Sequence, residues 1–282
     1  MQEGYDMLIK TNYSMKTDPS EKPLEYEPAN GGFCGILRTV GVIGDSLSSG
    51  TQEATYPDGR YIDDPLHAYH SHPWYDFSWG QAFARMTGNH VENFSCGGMT
   101  ADDYTTVTAD EFGAYDKARR CRAYIIALGV NDLYNRHGEV GTVADVCRED
   151  YKKNAKTFAG WYAAIIQKHI ELDKKARFFL VTMPRSYLDD GRDGIAEAHA
   201  SLMYDFAAMF PNTYVIDLRK YGPDYHEMMD KLYLGGHMSA FGYNLTAHMI
   251  VSYVDYIIRH NVADFQQIAF ASTPFEAVAK DR

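Results

Sequence analysis

Five short apolar runs, each of strand length, alternate along the chain with longer segments of helical periodicity. The runs cover residues 36–43, 91–94, 123–128, 178–182 and 214–218. They are rich in β-branched or aromatic residues, which is typical of buried strands. Buried strands joined by amphipathic helices predict a mostly parallel five-stranded sheet covered on both faces, an α/β fold of three layers.

The segments between these runs carry apolar residues at helical spacing. Trp79, Phe83 and Met86 predict one helix, and residues 195–210 predict another. Thr142 is positioned to cap a third, whose first turn holds Asp145. Its pattern continues through Tyr151, Phe158, Tyr162 and Ile166. The last predicted helix is capped by Ser239 and has one apolar face, formed by Phe241, Leu245, Met249, Tyr253 and Ile257.

The length and composition of the chain fit one large domain. Its 282 residues are 45% hydrophobic and 23% charged, which is ordinary for a globular protein. We expect an irregular N-terminal arm over residues 1–35, the domain itself over 36–260 and a C-terminal tail over 261–282. Within the domain, residues 48–75 interrupt the alternation and predict an inserted loop, which at this length commonly serves in binding or as a lid.

The inserted loop is rich in aromatic and histidine side chains, namely Tyr56, Tyr61, His67, Tyr69, His70, His72, Trp74 and Tyr75. Aromatic rings stack on sugar rings and line small-molecule clefts. The histidines have no acidic or cysteine partner at ligand spacing. We therefore expect neither a metal nor an organic cofactor.

The charge of the chain restricts its partners. A net charge of -11 argues against nucleic acid, since phosphate binding needs concentrated Lys and Arg. No run of eighteen apolar residues occurs, so no membrane span is expected. The first residues do not resemble a signal peptide, which predicts a cytoplasmic protein, with secretion after signal removal as the alternative. We expect a small-molecule partner, and self-association into a homo-oligomer stays open.

Residues able to carry chemistry follow the predicted strands at their carboxyl ends, where sites form in parallel α/β sheets. The first strand runs into Gly44-Asp45-Ser46-Leu47, which exposes a serine hydroxyl at the rim of the sheet. The alternative interpretation is a plain turn in which Asp45 and Ser46 cap a helix.

Three further motifs lie at comparable positions. Gly97 and Gly98 follow the second strand and allow a tight turn that offers N–H groups to an anion. Asn131 follows the third strand with a side-chain amide donor, and His237 lies on a glycine-flanked loop before the last helix. Each motif alone also fits ordinary turn, capping or surface chemistry.

Together, and in this chain order, the motifs resemble the GDSL/SGNH hydrolase family of GDSL-like lipases and esterases. The resemblance extends over residues 36–258 and implies a flavodoxin-like α/β/α sandwich, the SGNH hydrolase fold. It implies that Ser46 attacks an ester carbonyl and that His237 passes the serine proton to the leaving alcohol. The oxyanion hole that it implies comprises the N–H groups of Ser46 and Gly98 and the side chain of Asn131.

One position departs from the family pattern. The family usually has an aspartate three residues before the histidine, and here Leu234 stands in that place. Another group must then orient His237, because loss of the orienting acid costs about 10⁴ in turnover. We expect a backbone carbonyl in this role, with Asp230 or Asp217 as alternatives, and we expect Leu234 to be buried.

These features predict a serine esterase that uses no cofactor. Short acyl esters, such as acetyl groups on carbohydrates, are the expected substrates, because the aromatic loop suits a sugar. An acyl thioesterase or lysophospholipase with the same mechanism is one alternative. A catalytically silent binding protein on the same fold is another, because the usual acid is missing.

Overall fold

A five-stranded parallel sheet forms the centre of the computed structural model, which describes residues 18–54, 58, 60, 62, 71–188 and 190–273. The strands of the chain are β1 (Thr39–Gly44), β2 (Thr51–Glu53), β3 (Ser71–Pro73), β4 (His90–Asn93), β5 (Ala123–Ala127), β6 (Arg177–Val181) and β7 (Thr213–Ile216). The central sheet has the order β4-β1-β5-β6-β7, and every pairing in it is parallel. The five predicted strands are therefore confirmed. The first begins at Thr39 because Ile36 and Leu37 belong to a 3-10 turn.

The strand order places the polar motifs at a topological switch point. The chain leaves β1 for β4 on one side of the sheet and then crosses to β5 on the other. Sheets of this kind bind ligands in the crevice at the carboxyl ends of the two strands where the direction reverses. Ser46 directly follows β1 and Asn131 follows β5, so both lie at this crevice.

The helices occupy the segments between the strands. The α-helices are α1 (Ser46–Ser49), α2 (Trp79–Thr87), α3 (Ala101–Asp103), α4 (Ala109–Glu111), α5 (Phe158–Leu172), α6 (Arg192–Met209), α7 (Leu218–Tyr221), α8 (Tyr225–Leu232), α9 (Ala240–His260) and α10 (Val262–Phe265). π-Helical segments cover Tyr104–Thr108 and Val130–Asn135. A 3-10 segment with a kink covers Ala29–Leu37, and single 3-10 turns cover Tyr75–Phe77, Lys117–Arg119, Val143–Asp145, Tyr151–Lys153 and Ile268–Phe270. Within the described residues, no helix has the length and apolarity needed to cross a membrane.

Two apolar layers cover the sheet, because successive strand residues point to opposite faces. Ile126 and Leu180 pack in a buried cluster with α5 and α6 on one face. Ile125 and Phe179 pack in a second buried cluster with α2 and α9 on the other. The predicted three-layer α/β/α sandwich is confirmed, as are the helices predicted at Trp79, over 195–210 and after Ser239.

The single helix predicted from Thr142 to Ile166 is wrong. Thr142 caps only the turn Val143–Asp145, and α5 begins at Phe158. The side chain of Asn154 accepts a hydrogen bond from the Cys147 N–H (2.8 Å) and donates to the Gly160 carbonyl (2.9 Å). Such local bonds between side chain and backbone compete with helix formation and interrupt it here.

The predicted apolar face of α9 is buried at Met249, Tyr253 and Ile257, but its first residue, Phe241, differs from the prediction. Tyr243 and Ala247 are fully buried, whereas Phe241 is 60% exposed. At about 3.6 residues per turn, two residues carry Phe241 more than half a turn around the helix from Tyr243. Phe241 therefore faces solvent.

Short elements lie at the base of the inserted loop and at both ends of the domain. β2 and β3 pair antiparallel at the base of the loop, so that a hairpin joins it to the domain. Cys34 from the arm and Phe265 from the tail are buried in the same apolar cluster. Several residues predicted for the loop lie outside the described part of the chain, namely Tyr56, Tyr61, His67, Tyr69 and His70.

Candidate active site

The turn after β1 presents Ser46 at the edge of the sheet. Asp45 caps α1, and its Oδ1 accepts a hydrogen bond from the Leu47 N–H at 2.9 Å. Gly44 is required before it, because a Cβ there would lie 2.2 Å from the Ser48 hydroxyl. Ser46 is the first residue of α1, where backbone N–H groups have no partner within the helix. Its N–H is therefore available to a substrate oxygen.

Gly98 supplies a second backbone donor from the loop after β4. Its φ of 74° lies in the left-handed region that favours glycine, and a Cβ at this position would meet no atom within 4 Å. The residue is exposed. In the described part of the chain, the N–H groups of Ser46 and Gly98 donate to no protein acceptor. Both groups are thus free to donate to an anion.

Asn131 connects the ends of three strands. Its Nδ2 lies 3.2 Å from Asp45 Oδ2 and 3.4 Å from the Met99 carbonyl, while its Oδ1 accepts from Asn135 at 2.7 Å. Both contacts of Nδ2 are long for hydrogen bonds. An oxyanion near Ser46 would have to replace one of them to bind this amide.

His237 is held by a carboxylate from the hairpin. Oε1 of Glu53 lies 2.6 Å from the ring Nδ1, and Oε2 accepts the backbone N–H of His237 at 3.1 Å. The Glu53 side chain is only 9% exposed. The N–H on Nδ1 donates to the carboxylate, which leaves Nε2 as the basic nitrogen of the ring. A charge-assisted bond of this length fixes both the tautomer and the orientation of the imidazole.

Tyr243 fixes the position of the hairpin relative to Ser46. Its hydroxyl lies 2.5 Å from the Thr51 carbonyl in β2 and 3.3 Å from the Ser46 carbonyl. The tyrosine is fully buried on α9. One side chain from the last long helix therefore contacts both the serine turn and the strand that carries Glu53.

The predicted sources of the orienting group are wrong. The His237 ring is held by Glu53 and not by a backbone carbonyl. The carboxylate of Asp217 caps α7 and accepts from Tyr204 at 2.8 Å, and Asp230 is exposed on α8. Leu234 was expected to be buried and is 37% exposed. Its N–H donates to the His237 carbonyl, which shapes the loop without contributing an acid.

Ser46 and His237 lie in the same region without contacting directly. Among the described residues no hydrogen bond joins the Ser46 hydroxyl to the His237 ring. Such bonds are often long in enzymes without substrate and shorten in the reacting complex. His237 lies near enough to Asp45, the residue before Ser46, to offset part of the rise that burial causes in the pKa of that carboxyl.

Burial dominates the electrostatics of two aspartates beside the site. Burial raises the pKa of Asp45 to about 6, against the lowering effects of the Leu47 N–H and of His237. Burial likewise raises the pKa of Asp132 to about 6, although its Oδ1 accepts the Ala101 N–H at 2.9 Å. These carboxyls are costly to ionise because water is excluded from both.

A partly open cavity of about 280 Å³ lies next to these residues. Asp45, Leu47 and Ser48 line it on either side of Ser46, and Gly236 lines it next to His237. The last residues of β5 and β6, Ala127 and Val181, also line the cavity. It thus adjoins the candidate site on the side away from Gly98.

The described residues contain no group of three or more His, Cys, Asp or Glu side chains that could hold a metal ion. His67 and His70 lie outside these residues, and the side chain of His72 is not described. The absence of a metal from the inserted loop stays a prediction.

The sequence also matches a known family. A model described as the GDSL-like Lipase/Acylhydrolase family matches residues 42–245. With the fold, this match defines the protein as a carboxylic ester hydrolase. The chain belongs to the GDSL-like Lipase/Acylhydrolase family, and the predicted membership is confirmed.

Solved structures share the fold at low sequence identity. A carbohydrate esterase family 2 enzyme with a carbohydrate binding domain, from Corynascus thermopiles (Myceliophthora fergusii), is 15% identical, with 86% of this chain and 68% of that chain covered and a TM-score of 0.53. A carbohydrate esterase whose active site displays divergent catalytic and non-catalytic binding functions is 17% identical, with 89% and 71% covered and a TM-score of 0.50. A search of curated proteins found no significant match.

Proposed function

We propose that the protein is a serine esterase in which Ser46, His237 and Glu53 act as nucleophile, general base and orienting acid. The observation that carries this proposal is the bond between Glu53 and the His237 Nδ1 beside the serine turn. Glu53 fills the role for which the sequence offers no acid at position 234. A serine hydroxyl becomes an effective nucleophile only when a positioned base removes its proton.

The residues support a two-step acyl transfer. Nε2 of His237 takes the Ser46 proton as Oγ bonds to the ester carbonyl carbon, and the carbonyl oxygen becomes an oxyanion. The N–H groups of Ser46 and Gly98 and the amide of Asn131 stabilise that charge. The C–O bond then breaks, and the leaving alcohol takes its proton from Nε2. Water, deprotonated by His237, attacks the acyl-enzyme and releases the carboxylic acid and free Ser46.

Glu53 has an electrostatic role in both steps. The imidazolium formed after proton transfer lies within hydrogen-bond distance of a nearly buried carboxylate. In a site with little water, opposite charges attract more strongly than in bulk solvent. Glu53 therefore stabilises the charged intermediate as well as the tautomer.

The proposed substrates are short acyl esters of carbohydrates, with acetyl as the smallest acyl group. Trp74 and Phe77 are 55% and 50% exposed, and the Trp74 N–H donates to the Gly50 carbonyl at the end of α1. Exposed rings on the segment whose backbone bonds the end of α1 are suited to stack on a sugar. The names of the two structural neighbours, both carbohydrate esterases, are consistent with this proposal.

Covalent labelling tests the serine mechanism. A fluorophosphonate should modify Ser46 and no other serine, because Ser48 and Ser49 are buried and have no adjacent base. Peptide mapping by mass spectrometry locates the label, and Ser46→Ala should abolish both labelling and p-nitrophenyl acetate hydrolysis. Labelling that persists in Ser46→Ala, or a parent protein that hydrolyses esters without being labelled, would contradict the assignment.

A substrate screen tests the carbohydrate proposal separately. Purified protein is assayed on acetylated xylose and glucose derivatives and on p-nitrophenyl acetate. The proposal predicts a higher kcat/KM for a sugar ester, and a lower KM that rises when Trp74 is replaced by Ala. Phe270→Ala, which alters an exposed ring on the tail, is the matched control. A Trp74→Ala protein with unchanged KM on sugar esters would remove the support for a sugar.

A further inference from the structure

The cavity beside the serine turn has an apolar interior. Its lining includes buried aliphatic or thioether side chains from the end of β6, from the residues after it, from α7 and from α9, namely Val181, Met183, Leu218 and Ile250. Trp79 and Met238 add further buried apolar surface. An apolar wall of this kind stabilises an apolar occupant through the removal of its surface from water.

Two buried polar side chains in the wall, Asp45 and Thr182, already have partners. Both carboxylate oxygens of Asp45 accept hydrogen bonds, from Leu47 and Asn131. The Thr182 hydroxyl donates to Asp217 and accepts the N–H of Arg219. A sugar hydroxyl entering this interior would lose its bonds to water and find few new ones, which is unfavourable. The wall therefore favours a hydrocarbon chain over a sugar.

The cavity also has the position that an acyl chain requires. Its lining includes the residues on both sides of Ser46 and the residue before His237. The oxyanion donor Gly98 does not belong to the lining. An ester bound at Ser46 can therefore direct its carbonyl oxygen towards Gly98 and its acyl chain into the cavity.

We infer that this cavity is an acyl-chain site and that the enzyme takes linear acyl groups longer than acetyl, from butanoyl to octanoyl. The inference rests on the proposed function and extends its acyl range. A volume of about 280 Å³ is near the lower end of the ~300–1,000 Å³ typical of small-molecule sites and far exceeds the needs of one methyl group.

The chain-length dependence of turnover measures this site directly. Each methylene buried in the cavity should raise kcat/KM about fourfold, which corresponds to about 0.8 kcal/mol. The assay uses p-nitrophenyl esters from acetate to octanoate at concentrations below their micelle formation. The parent enzyme should show a rising series up to the length at which the cavity is full.

A matched pair of substitutions on α8 locates the effect. Met229 lines the cavity and is half-buried, whereas its neighbour Met228 is equally half-buried and is not among the lining residues. Met229→Trp should remove the rise with chain length, so that its ratio of octanoate to acetate kcat/KM falls well below that of the parent. Met228→Trp should behave like the parent on every ester. Met229→Phe provides a smaller filling if the tryptophan variant does not fold.

The outcomes separate this inference from the proposed function. A parent series that is flat or falls beyond acetate, with Ser46-dependent acetate hydrolysis, overturns the acyl-chain site alone. A rising series that Met229→Trp or Met229→Phe leaves unchanged places the chain elsewhere and also overturns it. Ester hydrolysis that survives Ser46→Ala contradicts the proposed function itself.

Discussion

Replacing Glu53 with glutamine tests the central feature of the site. The carboxylate accepts two hydrogen bonds from the same residue, one from the His237 ring at 2.6 Å and one from its backbone N–H at 3.1 Å. A glutamine amide has nearly the same shape but only one acceptor oxygen. One of the two donors must then face an NH₂ group, unless the ring changes its tautomer.

The tautomer change determines the expected magnitude. If the glutamine NH₂ faces Nδ1, the ring must accept there and carry its proton on Nε2, where it can no longer take the serine proton. The variant also loses the negative charge that stabilises the imidazolium. We expect kcat to fall by about 10³ to 10⁴ with little change in KM, as for the loss of a triad acid. This corresponds to about 4–5.5 kcal/mol in the barrier.

The assay compares kcat and KM on p-nitrophenyl acetate, with circular dichroism to establish that each variant is folded. Glu27→Gln is the matched control, because Glu27 also pairs with a histidine Nδ1, that of His248, at an exposed position away from the site. Surface pairs contribute little to stability, so this variant should retain parental activity. Asp217→Asn removes a rejected candidate acid and should also retain turnover.

One result would refute the reasoning. A folded Glu53→Gln protein with kcat within about tenfold of the parent would show that the carboxylate does not orient the base, since a true triad acid costs far more. In that case, adding Leu234→Asp to the Glu53→Gln protein should also leave its activity unchanged. A large gain on introducing Asp at 234 would instead place the orienting position where the family pattern has it.

Two further predictions concern the residues around Ser46. Asn131→Ala should lower kcat by about 10² to 10³ with little change in KM, because an oxyanion donor acts mainly on the transition state. Steady-state kinetics measure both constants. A raised KM with full kcat would make Asn131 a substrate-binding residue. Asp132→Asn should stabilise the protein at pH 8 and not at pH 4. Burial raises the pKa of Asp132 from 3.8 to about 6, so between these values the folded state binds more protons than the unfolded state and stability falls as pH rises. The free energy of unfolding falls by at most about 3 kcal/mol, at about 1.36 kcal/mol per pKa unit. The neutral amide of the Asp132→Asn variant avoids this loss. Urea denaturation at both pH values measures the difference, and an equal effect at pH 4 and pH 8 would contradict it.

The local pattern of the sequence was sufficient to predict the fold. The five apolar runs are each long enough to cross a buried sheet, and all five are strands of one parallel sheet. Ser239 and the apolar spacing after it predict α9, because capping and periodicity act within a few residues of each other. The prediction failed at Asn154, where a side chain bonds the backbone on both sides, and periodicity contains no information about such bonds.

The candidate site was predictable in part. Ser46, Gly98, Asn131 and His237 follow strands or precede the last helix, and a parallel sheet brings such positions to one edge. Their chain order was therefore sufficient to suggest a site.

Glu53 could not be predicted in the same way. It lies on a three-residue strand whose pairing with β3 closes across the inserted loop, and it contacts a residue 184 positions further along the chain. A short strand has too few residues for a distinctive pattern, and an acid after a serine turn is common in any sequence. Only the packing of the hairpin against the His237 loop, fixed by Tyr243, brings this carboxylate to the His237 ring, where we propose that it acts in place of the missing aspartate.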